Sequence, residues 1–294
     1  MESGGSKIAI IGGHSAVARR LRLGPCPRAT YFVRRSGRPD ERRVESYRDI
    51  GPRDLAGFEA VINCAGATGG STDDLEQANV TLPQALAEAC REAGVGRLVH
   101  MSSFSVFGHA ERISETSVPN PISAYGKSKL RGDERMLAAA AGGGLEAIVV
   151  RLPAIIEPTA SRGKTAKLVT AWCRVGAIPA PKGDIQRSMI STATTARVLA
   201  RLAGEGGAPI VLAADPEPFG YAAAATAIAE GAGRAVRVLW LPEWTFRPLR
   251  AVAPSLGYSL FADSLLDPGS NVAFAEPSDL YPSIAALAAK VVER

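Results

Sequence analysis

Apolar runs recur through the first half of the chain at intervals that leave room for a helix between them. KIAII (7–11), ATYFV (29–33), AVINCA (60–65), RLVHMSS (97–103) and EAIVVRL (146–152) are short and rich in Val and Ile. Their apolar character is nearly continuous, which predicts strands buried on both faces and therefore parallel. Between them, LEQANVTLPQALAEACREAGV (75–95) and AYGKSKLRGDERMLAAAA (124–141) place apolar residues at helical spacing, and GGG (142–144) stops the second. Strands alternating with helices at this spacing imply right-handed crossovers and a doubly wound parallel sheet, an α/β fold.

Beyond Arg151 the pattern loosens. A loop with proline and basic residues, IIEPTASRGK, precedes a helix near 164–174. PIVLAAD (209–215) reads as a strand, followed by an alanine-rich helix over 222–231, a strand in VRVLWLP (236–242), a polar stretch and a last helix over 283–293. The expected organisation is a main domain over 1–155, to which 185–215 returns, and a smaller lobe made of 156–184 and 216–294.

Composition narrows the class. With 294 residues, 46% of them hydrophobic, the chain can bury one large core, or a main core and a lesser one. The net charge of +5 raises polyanion binding. The excess lies early, in residues such as Arg19, Arg20, Arg22, Arg28, Arg34, Arg35, Arg38, Arg42 and Arg43. These arginines lack interleaved aromatics, so no nucleic-acid partner is expected. Cys26, Cys64, Cys90 and Cys173 show no C-x-x-C spacing and read as small buried hydrophobes in a reducing compartment. A polar MESGGS precedes the first strand, and no apolar run approaches the roughly 20 residues that span a bilayer. A cytoplasmic protein with no membrane association and no metal is expected.

The chemistry-bearing residues cluster after strands. In SAYGKSK, Tyr125 and Lys129 stand four residues apart, on one face of a helix. An ammonium beside a phenol favours phenolate, so Tyr125 can exchange protons near neutral pH. HMSSFSVFG places Ser103 at the carboxyl end of a central strand, where open α/β sheets bind ligands. NCAGA (63–67) lets a ligand approach the backbone, and IIGGHSAVARRL is a glycine loop entering a helix, with Ser15 and Ala18 where further glycines are usual.

As an ordered set, Gly12–Ala18, YRDI (47–50), NCAGA, Asn79, SSFSVFG, YGKSK, VVRLPAIIEP, RSMISTATTA and PIVLAADPEPFGYAAAATAIAEG resemble the extended short-chain dehydrogenase/reductase superfamily, with its NAD(P)-dependent nucleotide-sugar epimerases, dehydratases and 4-reductases. The resemblance implies a Rossmann domain with a small C-terminal substrate-binding lobe. It implies that Ser103, Tyr125 and Lys129 are catalytic: Tyr125 as acid/base, Lys129 lowering its pKa and binding the nicotinamide ribose, Ser103 orienting the reacting oxygen. Gly12, Ser15, Ala16 and Val17 would lie along the pyrophosphate, Asp49 and Ile50 beside the adenine, Ala65 and Gly66 on the ribose side, and Pro153 near the nicotinamide.

The second strand ends in FVRRSGRP, and Arg34 and Arg35 stand where NAD-specific folds offer a carboxylate. A guanidinium suits a 2′-phosphate, so NADP(H) is preferred and NAD(H) is possible. The dehydratases' Asp-Glu pair is replaced by Phe104 and Ser105, which argues against elimination of water and leaves Ser105 as a substrate-binding candidate. Arg187 is a candidate for a substrate diphosphate, although Thr194 replaces the family's Asp and Ala154 its Asn. His100 reads as a strand residue, His109 as a candidate for the substrate cleft, and His14 as either a cofactor contact or a turn residue. The expected activity is reduction of a 4-keto nucleotide sugar by NADPH. The alternatives are a 4-epimerase with bound NAD, a reductase of some other carbonyl compound, or a non-catalytic NADP-sensing protein. The partners expected are a small-molecule nucleotide-sugar substrate and a second copy in a homodimer.

Overall fold

The structure, a computed structural model, describes residues 7–35, 37–159, 164–183, 185–252, 264–273 and 275–293. The MESGGS segment and residues 160–163 of the basic loop lie outside the described residues. The strands are β1 (Ile8–Ile11), β2 (Thr30–Val33), β3 (Glu41–Arg43), β4 (Ala60–Asn63), β5 (Arg97–Ser103), β6 (Arg112–Ile113), β7 (Glu146–Leu152), β8 (Ala154–Ile156), β9 (Ala177–Pro181), β10 (Met189–Ser191), β11 (Ile210–Leu212), β12 (Arg237–Leu241) and β13 (Leu265–Leu266). The helices used below are α1 (Ala16–Leu23), α2 (Pro52–Leu55), α3 (Thr72–Glu76), α4 (Leu82–Ala93), α5 (Ala124–Ala140), α6 (Lys164–Val175), α7 (Thr192–Glu205) and α8 (Tyr221–Ala232).

Two compact units divide the chain. The first comprises residues 1–108, 117–152 and 195–213. It holds a seven-stranded sheet in the order β11-β7-β5-β4-β1-β2-β3. Every pairing in it is parallel. The order runs outward in both directions from the β1–β4 pair, so the chain reverses direction of travel there and the carboxyl ends of β1 and β4 splay into a crevice. The strands are apolar on both faces because helices cover both; Ile10, Ile11, Phe32, Ile62, Leu98 and Ile148 are fully buried.

The helical segment predicted over 75–95 is present, but not as one uninterrupted α-helix. A π-helical turn, Gln77–Thr81, separates α3 from α4, and Gly94 at φ 73° ends α4 in the left-handed conformation.

The second unit comprises residues 109–116, 153–194 and 214–294. Its core packs α6, α8 and the helix Leu280–Val292 around Val169, Ile178, Phe219, Ile228 and Ile284. Three two-stranded sheets, β8–β10, β9–β12 and β6–β13, complete it. These pairings correct the expected boundaries. Residues 185–194, expected with the main sheet, fall in the second unit because β10 pairs with β8. Residues 109–116 join it because β6 pairs with β13.

Candidate functional site

The glycine loop is shaped by its neighbours. Gly12 leaves β1 at φ 80°, and a Cβ there would lie 2.8 Å from the backbone nitrogen of Ala65. A Cβ on Gly13 would lie 2.8 Å from Val33 Cγ1 and 2.9 Å from Tyr31 Cβ. The first glycine thus lets the loops after β1 and β4 touch, and the second packs the loop onto β2. Ser15 caps α1: its Oγ accepts a hydrogen bond from Ala18 N at 3.1 Å, and its own N–H donates to Gly12 O at 2.8 Å. Ala18 is completely buried, which shows why a small residue suffices at this position. Ala16 and Val17 open the helix, where N–H groups and the helix dipole favour an anion.

At the end of β2, Arg34 and Arg35 are exposed. The Arg34 guanidinium lies 6.0 Å from the centre of the Tyr47 ring. The first carboxylate of the neighbouring strand β3, Glu41, is already engaged. It accepts from Gly37 N at 2.9 Å, sits 3.0 Å from Arg22 Nη2 and 3.2 Å from His14 Nε2, and its side chain is 2% exposed. Burial works against its charge, but these hydrogen bonds outweigh that and lower its pKa. Asp49 is exposed in the 3-10 turn Tyr47–Asp49, whereas the Ile50 side chain is buried in the core with Phe32, Leu55 and Val61.

The loop after β4 is fastened from both ends. Ala65 N donates to Asn63 Oδ1 at 3.0 Å. Asn79, on the π-helical turn, accepts from Ala67 N at 3.0 Å and donates to Ala67 O at 2.8 Å and to Ser128 Oγ at 3.0 Å. The wider π turn is what carries this side chain from α4 toward both the loop and α5. Gly66 lies against Asn79, its Cβ position 3.2 Å from Oδ1.

Ser103, Ser105 and Tyr125 come together. Ser103 ends β5 and donates from Oγ to Ser105 Oγ at 3.2 Å, while Ser105 N donates to Ser103 Oγ at 3.1 Å. Tyr125, in the first turn of α5, hydrogen-bonds with the Ser103 side chain. Burial raises the Tyr125 pKa above its ordinary value, only partly offset by Ser103, so the phenol is protonated at neutral pH.

Lys129 stands one turn further along α5 but faces elsewhere. Its Nζ donates to Met101 O at 2.6 Å and lies 3.1 Å from His100 Nε2. The expectation that its charge lowers the Tyr125 pKa is not met in this geometry, because the Nζ is turned down against β5. Burial pulls Lys129 down to about 8, with the Asp133 carboxylate opposing. His100 and Asn63 are completely buried and joined by a 3.0 Å Nδ1–Nδ2 contact. Asp133 accepts from Ser102 Oγ at 2.9 Å and from Arg151 Nε at 3.1 Å. The sequence reading missed Asn63, Asp133 and Arg151 and took His100 for an ordinary strand residue. Polar side chains inside continuous apolar strands were the available signal, since such groups need partners.

Pro153 and Arg187 belong to the second unit. There Arg187 exchanges backbone hydrogen bonds with Phe219, at 3.1 and 2.7 Å, and acts on the Tyr221 phenol. Among the described residues no His, Cys, Asp and Glu cluster is arranged to hold a metal, and no helix is long and apolar enough to cross a membrane.

The donor set of the first unit fits a dinucleotide: a helix N-terminus behind a positive-φ glycine for the pyrophosphate, and an approach at Ala65 and Gly66 that meets no side chain larger than a methyl. Residues 52–182 match the NAD dependent epimerase/dehydratase family. The chain is similar to dTDP-4-dehydrorhamnose reductase of Mycolicibacterium smegmatis, 37% identical over 95 residues, which cover 30% of this chain and 29% of that protein. The match spans less than a third of that relative's length. Over 98% of this chain and 99% of the other, the fold is similar to that of MoeE5 in complex with UDP-glucose and NAD, with a TM-score of 0.75 at 20% identity. It is also similar to RMD from Pseudomonas aeruginosa complexed with NADPH, with a TM-score of 0.67 at 15% identity over 98% and 100% of the two chains. Residues 52–182 are thus similar to the NAD dependent epimerase/dehydratase family, and the fold of the chain is shared with MoeE5 and RMD.

Proposed function

We propose that the chain is an oxidoreductase that reduces a 4-keto nucleotide sugar, with NADPH as its cofactor and Tyr125 as its proton donor. The observation that carries this reading is the meeting of Tyr125 with Ser103 at the carboxyl end of β5. Bound NADPH would supply a hydride. The chain's own residues manage the proton and the geometry. Ser103 offers a hydroxyl to hold a carbonyl oxygen, and Tyr125, kept protonated by burial, holds the proton that this oxygen needs once it gains charge. A phenol that is protonated before reaction suits reduction, whereas oxidation of a sugar hydroxyl would first need a phenolate. Gly12, Ala16, Val17 and the Ser15 cap serve the pyrophosphate, Ala65 and Gly66 the ribose side, Asp49 and the Ile50 backbone the adenine, and Pro153 the nicotinamide. The preference for NADP(H) is supported by exposed Arg34 and Arg35 beside a Glu41 already engaged by Arg22.

The test is direct. Purified protein is given NADPH and a dTDP- or UDP-linked 4-keto-6-deoxyhexose, and loss of NADPH absorbance is followed with analysis of the sugar. Turnover is expected, and Tyr125→Phe should lower kcat by about 10²- to 10⁴-fold while NADPH still binds. Arg34→Ala should weaken NADPH by about tenfold or more and leave NADH unchanged, as loss of a charge-assisted hydrogen bond does. Arg187→Ala should raise KM for the sugar without changing NADPH affinity. The fold shared with an NAD and UDP-glucose complex favours 4-epimerisation as the second reading. Interconversion of a UDP-hexose without net NADPH loss, and no reduction of the keto sugar, would establish it instead.

A further inference from the structure

The two-stranded sheet β9–β12 has two outer edges, and the sequence treats them differently. Arg237 N donates to Gly176 O at 3.0 Å, and Lys182 N donates to Leu241 O at 2.8 Å. Together with the parallel register, Arg237↔Ala177 through Leu241↔Pro181, these bonds fix which way each backbone group turns. Arg237, Leu239 and Leu241 turn N–H and C=O toward β9, so Val238 and Trp240 turn theirs away from it. On β9, Ile178 and Ala180 face β12, so Ala177, Pro179 and Pro181 face outward. The two prolines have no N–H to give, which closes that edge to a further strand. The β12 edge carries no such block. Val238 and Trp240 each present an outward donor and acceptor, and among the described residues no strand but β9 pairs with β12. The open edge is also apolar: Leu239, Trp240 and Trp244 are 50%, 44% and 66% exposed. Large apolar side chains gathered this closely mark an interaction surface, and tryptophan is a favoured anchor in one.

We propose that the open edge of β12 binds a second copy of this chain, the two β12 strands pairing antiparallel about a twofold axis at Leu239. That axis sets Val238 of each copy opposite Trp240 of the other. Val238 N–H then donates to the Trp240 carbonyl across the axis, Trp240 N–H donates to the Val238 carbonyl, and the same two bonds run back, so every outward group is used. An axis at Trp240 would instead set Val238 against Pro242, which has no N–H for the Val238 carbonyl. Leu239 meets its own mate, so one apolar patch covers its identical copy. Arg237 at one end of β12 and Glu243 just past the other bring opposite charges together when the strands run antiparallel. A strand from another protein could use the same donors, but only a second copy covers the patch on both chains at once. The resulting four-stranded sheet ends on both sides in the Pro179–Pro181 edge, so assembly through this face stops at two copies. The proposal is independent of the reaction proposed above.

Sedimentation of the intact protein over the micromolar range tests the pairing. Leu239→Lys and Leu239→Glu each set like charges opposite one another across the axis and should weaken self-association by about tenfold or more. An equal mixture of the two variants should associate again, as pairs holding one of each. Leu239→Cys gives a second readout. Facing residues of a non-hydrogen-bonded antiparallel pair have Cα atoms about 4.5 Å apart, within the range of a disulfide, so mild oxidation should yield a covalent dimer. The natural chain, whose described cysteines are buried or half-buried, is the control. A natural chain that stays monomeric would overturn the proposal, and so would an association that neither charged variant weakens. Dissociation by both variants with no recovery on mixing would overturn the twofold pairing and assign the edge to a different strand. Should the charged variants not fold, failure of Leu239→Cys to cross-link would overturn it equally.

Discussion

Gly12 and Ser15 sit three residues apart in one loop and answer to different physics. Gly12 has φ 80° and a Cβ position 2.8 Å from Ala65 N. Gly12→Ala therefore meets both backbone strain, about 1–3 kcal/mol, and a clash with another loop. Dinucleotide affinity should fall at least tenfold and the melting temperature should drop, read by fluorescence titration and thermal unfolding. Ser15 is a helix cap. Ser15→Gly should cost a few tenths of a kcal/mol and Ser15→Ala about 1, with dinucleotide affinity little changed in the glycine variant. A large loss of affinity in Ser15→Gly would show the hydroxyl itself to be a ligand. At this scale the sequence disclosed which residues matter more readily than what they touch. The Tyr125–Lys129 spacing was legible, and it placed both on one face of α5. Which way Nζ turns was not legible, because it depends on His100 and Met101, which another strand brings to it.

Helix α5 is the element that assembles the site, and two glycines let it come close. A Cβ on Gly126 would run into the Ser105 carbonyl, and one on Gly132 into the Asn79 carbonyl, both inside any real contact distance. Neither obstacle is a flexible side chain. Gly132→Ala should therefore destabilise by about 1–3 kcal/mol or more and loosen the π turn that holds Asn79, visible as a lower denaturant midpoint. The same helix carries Asp133, which is 1% exposed and paired with Arg151, itself 5% exposed. Arg151→Leu would leave that carboxylate buried without its cation, at a cost of about 3–5 kcal/mol. Replacing Asp133 by Asn as well should recover part of the loss, and a strictly additive double variant would show the pair to be uncoupled. Elements of this length were read well from apolar periodicity. The π turn was not, since Gln77–Thr81 keeps helical periodicity and its widening answers to packing against α5 and the Ala67 loop. Strand β3, Glu-Arg-Arg, was missed because an edge strand needs no apolar face.

Across the whole molecule, the doubly wound parallel sheet of the first unit followed from buried apolar runs alternating with helices, while its strand order, with β3 at one edge, came only from the structure. The second unit was harder to read. Its strands pair two by two, and β6, β8, β10 and β13 are two or three residues long, too short to show a period. What the sequence did indicate for the molecule as a whole was buried cysteine, met at Cys26, Cys90 and Cys173 but only in part at Cys64, and this has a consequence for stability at alkaline pH. Cys90, on α4, is completely buried among Leu86, Val95 and Leu98. Burial alone pushes its thiol up to about 12, and that of Cys26 to about 11, from an ordinary value of 9.0. An acid whose pKa is higher in the folded chain than in the unfolded one binds more protons when folded. Its stabilising contribution is therefore whole below pH 9 and is lost as pH rises toward the folded value. At about 1.4 kcal/mol per unit, Cys90 should account for a loss of about 3 kcal/mol between about pH 8 and about pH 11. Cys90→Ala tests this by difference, because Tyr31 and the other buried acids titrate alike in both proteins. The variant should be less stable at about pH 8 by about 1 kcal/mol, from the small cavity it leaves. Its urea midpoint should then fall less steeply with pH, so that the two curves cross between about pH 9 and about pH 11. Parallel curves over that range would mean that the unfolded chain keeps the Cys90 thiol as buried as the folded one does.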